Sequence, residues 1–204
     1  MKTPRQILQG VLHWIKTRWH TTSPPDLEGL KFEFYSTGMN HYVAARWATL
    51  AGLMPAYGNQ FHLAVEMYLK GALVEKGFAP DRLRHFGHNL KRLWKAFKRH
   101  YDDGTLAQFD QLVQELDRFE KIRYPDQIGK GMTMGISIGA GEQTKVWTAK
   151  PLPHYEVNLA AIDGLVRAIV QRTSVNPTAL MHRLLRPEAK DALSRHNPEA
   201  GFWA

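Results

Sequence analysis

A short stretch with many cations and no acid is the strongest sign of chemistry in this chain. Residues 82–100, RLRHFGHNLKRLWKAFKRH, contain no Asp or Glu. Their cations are Arg82, Arg84, Lys91, Arg92, Lys95, Lys98 and Arg99. Such bands bind phosphate backbones through counterion release and do not read base sequence. The alternative is a solvated helix face that balances the acidic residues of the next helix across a groove.

The spacing of residues in this sequence does not identify a catalytic site. Cleavage of RNA without a metal needs a base near the attacking 2′-hydroxyl and a cation at the phosphate. His88 with Arg82 or Arg84 is the compact His and Arg group near the basic band, and Arg123 is a further candidate cation. The candidates are therefore Arg82, His88 and Arg123, without a defined role for any of them.

Other kinds of site are disfavoured by their spacing. His85 and His88 are three residues apart, but no third ligand has a recognisable spacing and HExxH is absent, so we expect no metal site. The glycines of residues 129–135 do not have the spacing of a Walker phosphate-binding loop, so we expect no such loop there. The chain has no cysteine, which excludes disulfides and thiolate chemistry. We expect no cofactor.

Composition predicts a basic globular protein. The chain has 204 residues, 44% of them hydrophobic, and a formal net charge of +8. This charge favours polyanionic partners such as RNA, DNA or an anionic membrane surface, although many soluble proteins are simply basic. No apolar run reaches the ~18 residues that a transmembrane helix needs, and the N-terminus lacks the pattern of a secretory signal. We therefore expect a cytoplasmic protein without integral membrane association.

Helical periodicity predicts an all-α, up-and-down bundle. Apolar residues recur at steps of three and four along most of the chain. The predicted helices span residues 4–20, 40–54, 60–76, 89–101, 105–122 and 154–172, and two short helices begin at Asn176-Pro177 and Arg186-Pro187. The first of these is amphipathic and basic. We expect it to pack on its own domain or on a second subunit rather than on a membrane.

One predicted helix carries two charges in an apolar setting. Glu66 and Lys70 stand at positions i and i+4 in the favourable order within FHLAVEMYLKGALVEKG. On an exposed face such a pair contributes about 0.2–0.5 kcal/mol. In a buried helix, removal of one partner costs more than the pair contributes. The pattern predicts a structural ion pair.

The periodicity changes in a glycine-rich insert at residues 127–153. Residues 132–138 and 143–148 are predicted to form a hairpin that turns at residues 139–141, and an ordered loop is the alternative. At the other end of the chain, the segment GFWA carries Phe202 and Trp203. Two aromatic side chains in such a tail are expected to dock on a surface.

The order of these elements resembles the HEPN-domain family of helical nucleotide-binding and RNase domains. The resemblance rests on FHLAVEMYLKGALVEKG, on GHNLKRLW and on residues 123–125, RYP, and it covers roughly residues 40–172. It implies a homodimer and a role in toxin–antitoxin, phage-defence or RNA-processing systems. The expected organisation is an N-terminal helix and linker at 1–30, a HEPN-like bundle at 31–175, and short helices with a tail at 176–204.

Catalytic HEPN members are metal-independent RNases with an Arg followed closely by a His near the start of a late helix. Here no His follows Arg123 within six residues, and His154 lies beyond the insert. Arg82 and His88 have a comparable spacing but precede the third helix of the bundle. We therefore predict a non-catalytic protein that binds RNA, a nucleotide or a partner protein. The alternatives are a metal-independent endoribonuclease and a structural dimerisation scaffold.

Overall fold

The computed structural model describes residues 26–53, 55–123, 132–138, 153–184 and 186–204. These residues form a helical bundle with one small sheet, which confirms the predicted all-α class. The α-helices are α1 (Leu27–Leu50), α2 (Ala56–Glu75), α3 (Pro80–Arg84), α4 (Leu90–Tyr101), α5 (Asp110–Arg118), α6 (Leu159–Val170), α7 (Pro177–His182) and α8 (Pro187–Ser194). Short 3-10 helices cover Leu106–Phe109, Phe119–Ile122 and Ala200–Phe202, and the strands are β1 (Thr133–Ser137) and β2 (His154–Asn158). Among the described helices, none has the length and apolar character needed to span a bilayer.

Helices α1 and α2 form the most extensive helix pair, and two reciprocal Gly–Tyr contacts set their separation. Gly38 of α1 lies against the ring of Tyr68 in α2, where a Cβ would stand 3.2 Å from the ring. Gly71 of α2 lies against the ring of Tyr35 in α1, where a Cβ would stand 3.0 Å away. Because the two contacts point in opposite directions, any larger side chain at either glycine would push the helices apart.

Helix α4 packs its apolar face on α2, as its sequence pattern predicts. Leu90, Leu93, Trp94 and Phe97 are buried. The Asn89 side chain caps the helix by accepting the backbone N–H of Arg92 at 2.9 Å. A fixed start and a buried apolar face determine which α4 residues point outward.

The first described helix is longer than predicted. It begins at Leu27 instead of residue 40, because Asp26 caps it by accepting the backbone N–H of Gly29 at 2.9 Å. The helix predicted over residues 105–122 is divided into a 3-10 turn, α5 and a second 3-10 turn. The predicted helix over residues 4–20 lies outside the described residues.

The first half of the predicted hairpin is a strand, but the partner that the structure shows for it is a different segment from the predicted one. Strand β1 pairs in parallel with β2, with Thr133 opposite His154 and Ser137 opposite Asn158. Residues 154–158 are therefore a strand and not the first turns of the last long helix, which begins at Leu159. The strand buries Tyr155 and Val157 in alternation, which is the two-residue period of a half-buried strand. Residues 143–148 lie outside the described residues.

The C-terminal segment completes the core against α1. Helix α8 packs on α1, and Trp203 is buried with its ring centroid 5.9 Å from that of Tyr42. The docking expected for the aromatic tail is thus confirmed for Trp203. Helices α7 and α8 both begin with proline, as predicted from the sequence.

Candidate nucleic-acid interface and the Glu66 cluster

The cations of α4 divide into a row that is paired with α5 and an adjacent row that is not. Lys91 and Lys98 are two turns apart and face α5. The Lys91 ammonium lies 3.4 Å from the Asp117 carboxylate, and the Lys98 ammonium lies 2.6 Å from that of Asp110. The structure thus shows, for these two lysines, the balancing of an acidic helix that the sequence left as an alternative.

The contact with α5 also changes the acidity of Asp110. Its carboxylate accepts a hydrogen bond from Lys98 and one from the Trp94 indole N–H at 2.6 Å. Both donors favour the ionised form. The Lys98 ammonium, followed by the Trp94 donor, therefore lowers the pKa of the Asp110 carboxyl below its usual range.

The second row points to solvent and consists of Arg92, Lys95 and Arg99, which we call the outer stripe. The three residues are spaced by three and four, so they lie on one face of α4. All three are exposed, and within the described residues none forms an ion pair with a carboxylate. Arg92 donates to the backbone carbonyl of His85 at 3.3 Å. The outer stripe is therefore a line of cations whose charge is not neutralised by its surroundings in the described structure.

The two arginines of α3 differ from each other. Arg84 pairs with Asp81 at 3.1 Å, and both side chains are mostly exposed. The Arg82 guanidinium instead lies over the ring of Phe78, with its Cζ atom 3.8 Å from the ring centroid. Of the seven cations predicted to bind nucleic acid, Arg82 and the outer stripe are those without a carboxylate partner in the described part of the chain.

Glu66 is a buried carboxylate at the centre of a second group of polar residues. It has no exposed surface, and its Oε1 accepts from the Lys70 ammonium at 2.6 Å. The predicted ion pair is therefore present, and its acidic member is buried. The second oxygen, Oε2, lies 2.9 Å from Nδ1 of His88. Because two partners share this carboxylate, its burial is compensated on both oxygens.

His88 is held by Glu66 at the protein surface. A carboxylate can only accept, so the Nδ1 atom of His88 carries the hydrogen in this contact. In the neutral imidazole Nε2 is then the basic nitrogen. The side chain is 53% exposed, which leaves the ring accessible to a ligand. This is the geometry of a general base whose tautomer is fixed by an acid.

Arg123 joins the same group through two residues that the sequence did not predict as site residues. His62 is buried; its Nδ1 donates to the backbone carbonyl of Leu116 at 3.1 Å, and its Nε2 lies 3.7 Å from Glu66 and 3.8 Å from Glu120. Arg123 pairs with Glu120 at 2.5 Å. The Glu66 cluster therefore consists of His62, Glu66, Lys70, His88, Glu120 and Arg123.

Part of the Glu66 cluster had a signal in the sequence. His62, Glu66 and Lys70 are each four residues apart, which places them on one face of a helix. Three polar residues on one face of an otherwise apolar helix indicate a buried polar group. The contacts with His88 and Glu120 depend on how α2 packs against two later segments, and no local pattern contains them. Within the described residues, no group of His, Asp or Glu is arranged to hold a metal ion.

Comparisons with known proteins return no relative for this chain. A scan against protein-family models finds no match. Neither a search of curated proteins nor one of solved structures finds a match. The HEPN resemblance, with the homodimer and the cellular roles that it implies, accordingly stays a prediction from the sequence.

Proposed function

We propose that this protein binds the phosphates of RNA or of a nucleotide on the outer stripe of α4. The observation that carries this proposal is the row of Arg92, Lys95 and Arg99, which is exposed and lacks carboxylate partners among the described residues. Cations that are already neutralised contribute little to phosphate binding, because they release no counterions from the nucleic acid. The outer stripe keeps its charge available to a ligand.

The rest of the sequence supports the same ligand class. Residues 1–25 contain Lys2, Arg5, Lys16 and Arg18 and no acidic residue. They therefore carry a large share of the net charge of +8. A net positive charge raises the rate of association with any polyanion. The HEPN resemblance, whose family includes nucleotide-binding and RNase domains, points to the same class.

Two double variants of α4 test this proposal. Lys95→Gln with Arg99→Gln removes two charges from the outer stripe, and Lys91→Gln with Lys98→Gln removes two charges that face α5. Binding of a labelled RNA pool is followed by fluorescence anisotropy over a series of salt concentrations. We expect the first variant to bind about tenfold more weakly and to lower the slope of log K against log salt by about 1.4 to 2. The second variant should keep a slope close to that of the wild type.

Three results would count against phosphate binding at the outer stripe. Equal losses in both double variants would show that only the net charge matters. Binding that does not depend on salt would exclude a phosphate contact. Absence of binding to RNA and to nucleotides would direct attention to a partner protein.

A second candidate function is metal-independent cleavage of RNA. The observation that favours it is the contact between the buried Glu66 carboxylate and the half-exposed His88 at 2.9 Å. A carboxylate that orients an imidazole leaves the other ring nitrogen free to take the proton of a 2′-hydroxyl. The reaction also needs a cation at the phosphate, and the candidate in this cluster is Arg123, which would have to exchange its pairing with Glu120 for the phosphate.

Cleavage of an RNA pool in EDTA tests this second candidate. If His88 is the general base, His88→Ala should reduce the cleavage rate by at least about 100-fold and leave RNA binding intact. His85→Ala is the matched control, because His85 is a nearby exposed histidine whose Nδ1 contacts only the backbone carbonyl of Asp81. No cleavage by the wild type, or equal cleavage by both variants, would remove His88 as a general base.

A further inference from the structure

Two arginine–phenylalanine contacts lie side by side next to the outer stripe. The Cζ atom of Arg82 stands 3.8 Å from the ring centroid of Phe78, and that of Arg92 stands 5.7 Å from the ring centroid of Phe86. The two rings are neighbours, with centroids 6.4 Å apart. We call Phe78, Arg82, Phe86 and Arg92 the Arg–Phe layer.

The Arg–Phe layer is fixed on the side that faces the core and is exposed on the side that faces solvent. Phe78 is buried, so the Arg82 guanidinium covers a ring that the core fixes in place. Arg92 is held by its hydrogen bond to the backbone carbonyl of His85. Both arginines are exposed. At 3.8 Å the Arg82 guanidinium is in contact with the Phe78 ring, whereas Arg92, at 5.7 Å, lies beside the Phe86 ring without direct stacking, and the exposed side of both groups is open to a ligand.

The charge of the layer points to an anionic ligand. Neither Arg82 nor Arg92 has a carboxylate partner among the described residues, whereas Arg84, between them in the sequence, is paired with Asp81. Their charges are not neutralised by a carboxylate there, so an anionic group brought near either of them gains a favourable Coulomb energy. Arg92 also belongs to the outer stripe, so the layer is continuous with the row of cations proposed to bind phosphates.

The planar groups of the layer indicate a more specific class of anionic ligand. Guanidinium planes and aromatic rings are the surfaces on which proteins stack unpaired bases. Such stacking contributes about 1–3 kcal/mol for each base and tolerates any base, since every base has a π face. In a duplex the base faces are covered by their neighbours, so this gain is available only with a single strand.

We propose that the Arg–Phe layer stacks the bases of single-stranded nucleic acid whose phosphates lie along the outer stripe. This inference rests on the proposed function and adds to it the class of nucleic acid and the residues that select it. The layer would give a preference for single strands without reading their sequence. Arg82 and Arg92 act through their planar shape as well as through their charge.

Replacement of arginine by lysine separates shape from charge. Lysine keeps the positive charge but loses the plane that stacks on a base. The test variant is Arg82→Lys with Arg92→Lys. The control is Arg195→Lys, which makes the same chemical change at an exposed arginine that lies outside the outer stripe and the Arg–Phe layer and forms no cation–ring contact within the described residues.

Three probes complete the experiment: a labelled oligoadenylate, the same strand annealed to oligouridylate, and inorganic polyphosphate as a competitor without bases. We expect the wild type to bind the single strand about tenfold more tightly than the duplex. The Arg82→Lys, Arg92→Lys variant should lose that preference and keep its affinity for polyphosphate. Arg195→Lys should keep the preference.

The outcomes distinguish a failure of this inference from a failure of the proposed function. If the wild type binds all three probes equally, or if the double lysine variant keeps the preference, the Arg–Phe layer does not stack bases, and phosphate binding still stands. If the wild type binds none of the three probes, the proposed function itself is wrong.

Discussion

Arg46 is a charged side chain without any exposed surface. Its Nε donates to the backbone carbonyl of Ala192 at 2.8 Å, and its guanidinium also donates to the carboxylate of Asp163 and the carbonyl of Arg195. Burial raises the pKa of the Asp163 carboxyl, against the opposing effect of the Arg46 cation. One residue thus joins α1 to α6 and to the end of α8, and its removal would leave the buried Asp163 carboxylate without its cation, with the Tyr42 hydroxyl as a remaining donor.

Substitution of Arg46 should therefore be costly. Arg46→Met leaves the buried Asp163 carboxylate without its cation, so we expect a loss of about 3–5 kcal/mol in the free energy of unfolding. Arg167→Met is the matched control, because Arg167 also pairs with an acid, Glu199, but its side chain is 47% exposed. That variant should lose less than about 1 kcal/mol. Urea unfolding measures both, and similar losses would show that burial of the pair does not matter.

At the scale of elements, the contact between α4 and α5 combines apolar and charged parts. The rings of Trp94, Phe97 and Tyr101 stack in sequence along α4, with centroids 5.5 Å and 4.7 Å apart. Beside them, the Lys91 and Lys98 pairs connect the helix to α5 at two points. The buried apolar face fixes how α4 is rotated, and the ion pairs then decide which of its cations are neutralised and which form the outer stripe.

The α4–α5 contact should weaken in acid. The pKa of Asp110 is lowered in the folded protein, so its carboxyl stabilises the fold above the usual carboxyl range and loses this contribution as the pH falls through the lowered pKa. Between about pH 7 and about pH 3, the wild type should lose up to about 1 kcal/mol more than Asp110→Asn, since the group is partly exposed. Urea unfolding at the two pH values measures this difference.

A second variant controls for a general loss of acidic residues. Glu188→Gln removes an exposed carboxylate on α8 that forms no ion pair within the described structure. It should show the same acid dependence as the wild type. If Asp110→Asn and Glu188→Gln behave alike, Asp110 does not account for the acid sensitivity of this contact.

At the scale of the whole molecule, the sequence predicted the structural features that depend on residues close together in the chain. The three-and-four periodicity located the long helices, and the prolines of α7 and α8 marked their starts. The parallel pairing of β1 with β2 was not predicted, because a parallel pair joins segments that are distant in the chain and has no tight turn to recognise in the sequence. Even so, the alternation of Tyr155 and Val157 could have indicated the strand.

The candidate site was predicted only in its components. The seven cations, His88 and the Glu66–Lys70 pair were all identified from the sequence. Their division into paired and unpaired rows depends on where α5 lies against α4. The connection of His88 to Arg123 depends on the contact between Glu120 and His62. These two residues are 58 positions apart in the chain. These are tertiary contacts, which cannot be inferred from the local patterns of a single sequence.

The placement of Arg46 has a consequence for the order in which the protein assembles during synthesis. The carbonyls that it binds follow it by 146 and 149 residues. At about 5–20 residues per second, a ribosome needs on the order of ten seconds to produce that interval. Through this time α1 and α2 can pair, but Arg46 keeps its hydration and the face that α8 later covers stays open. We expect the nascent chain to pause as a helical hairpin with exposed apolar surface, a state in which chaperones would bind it.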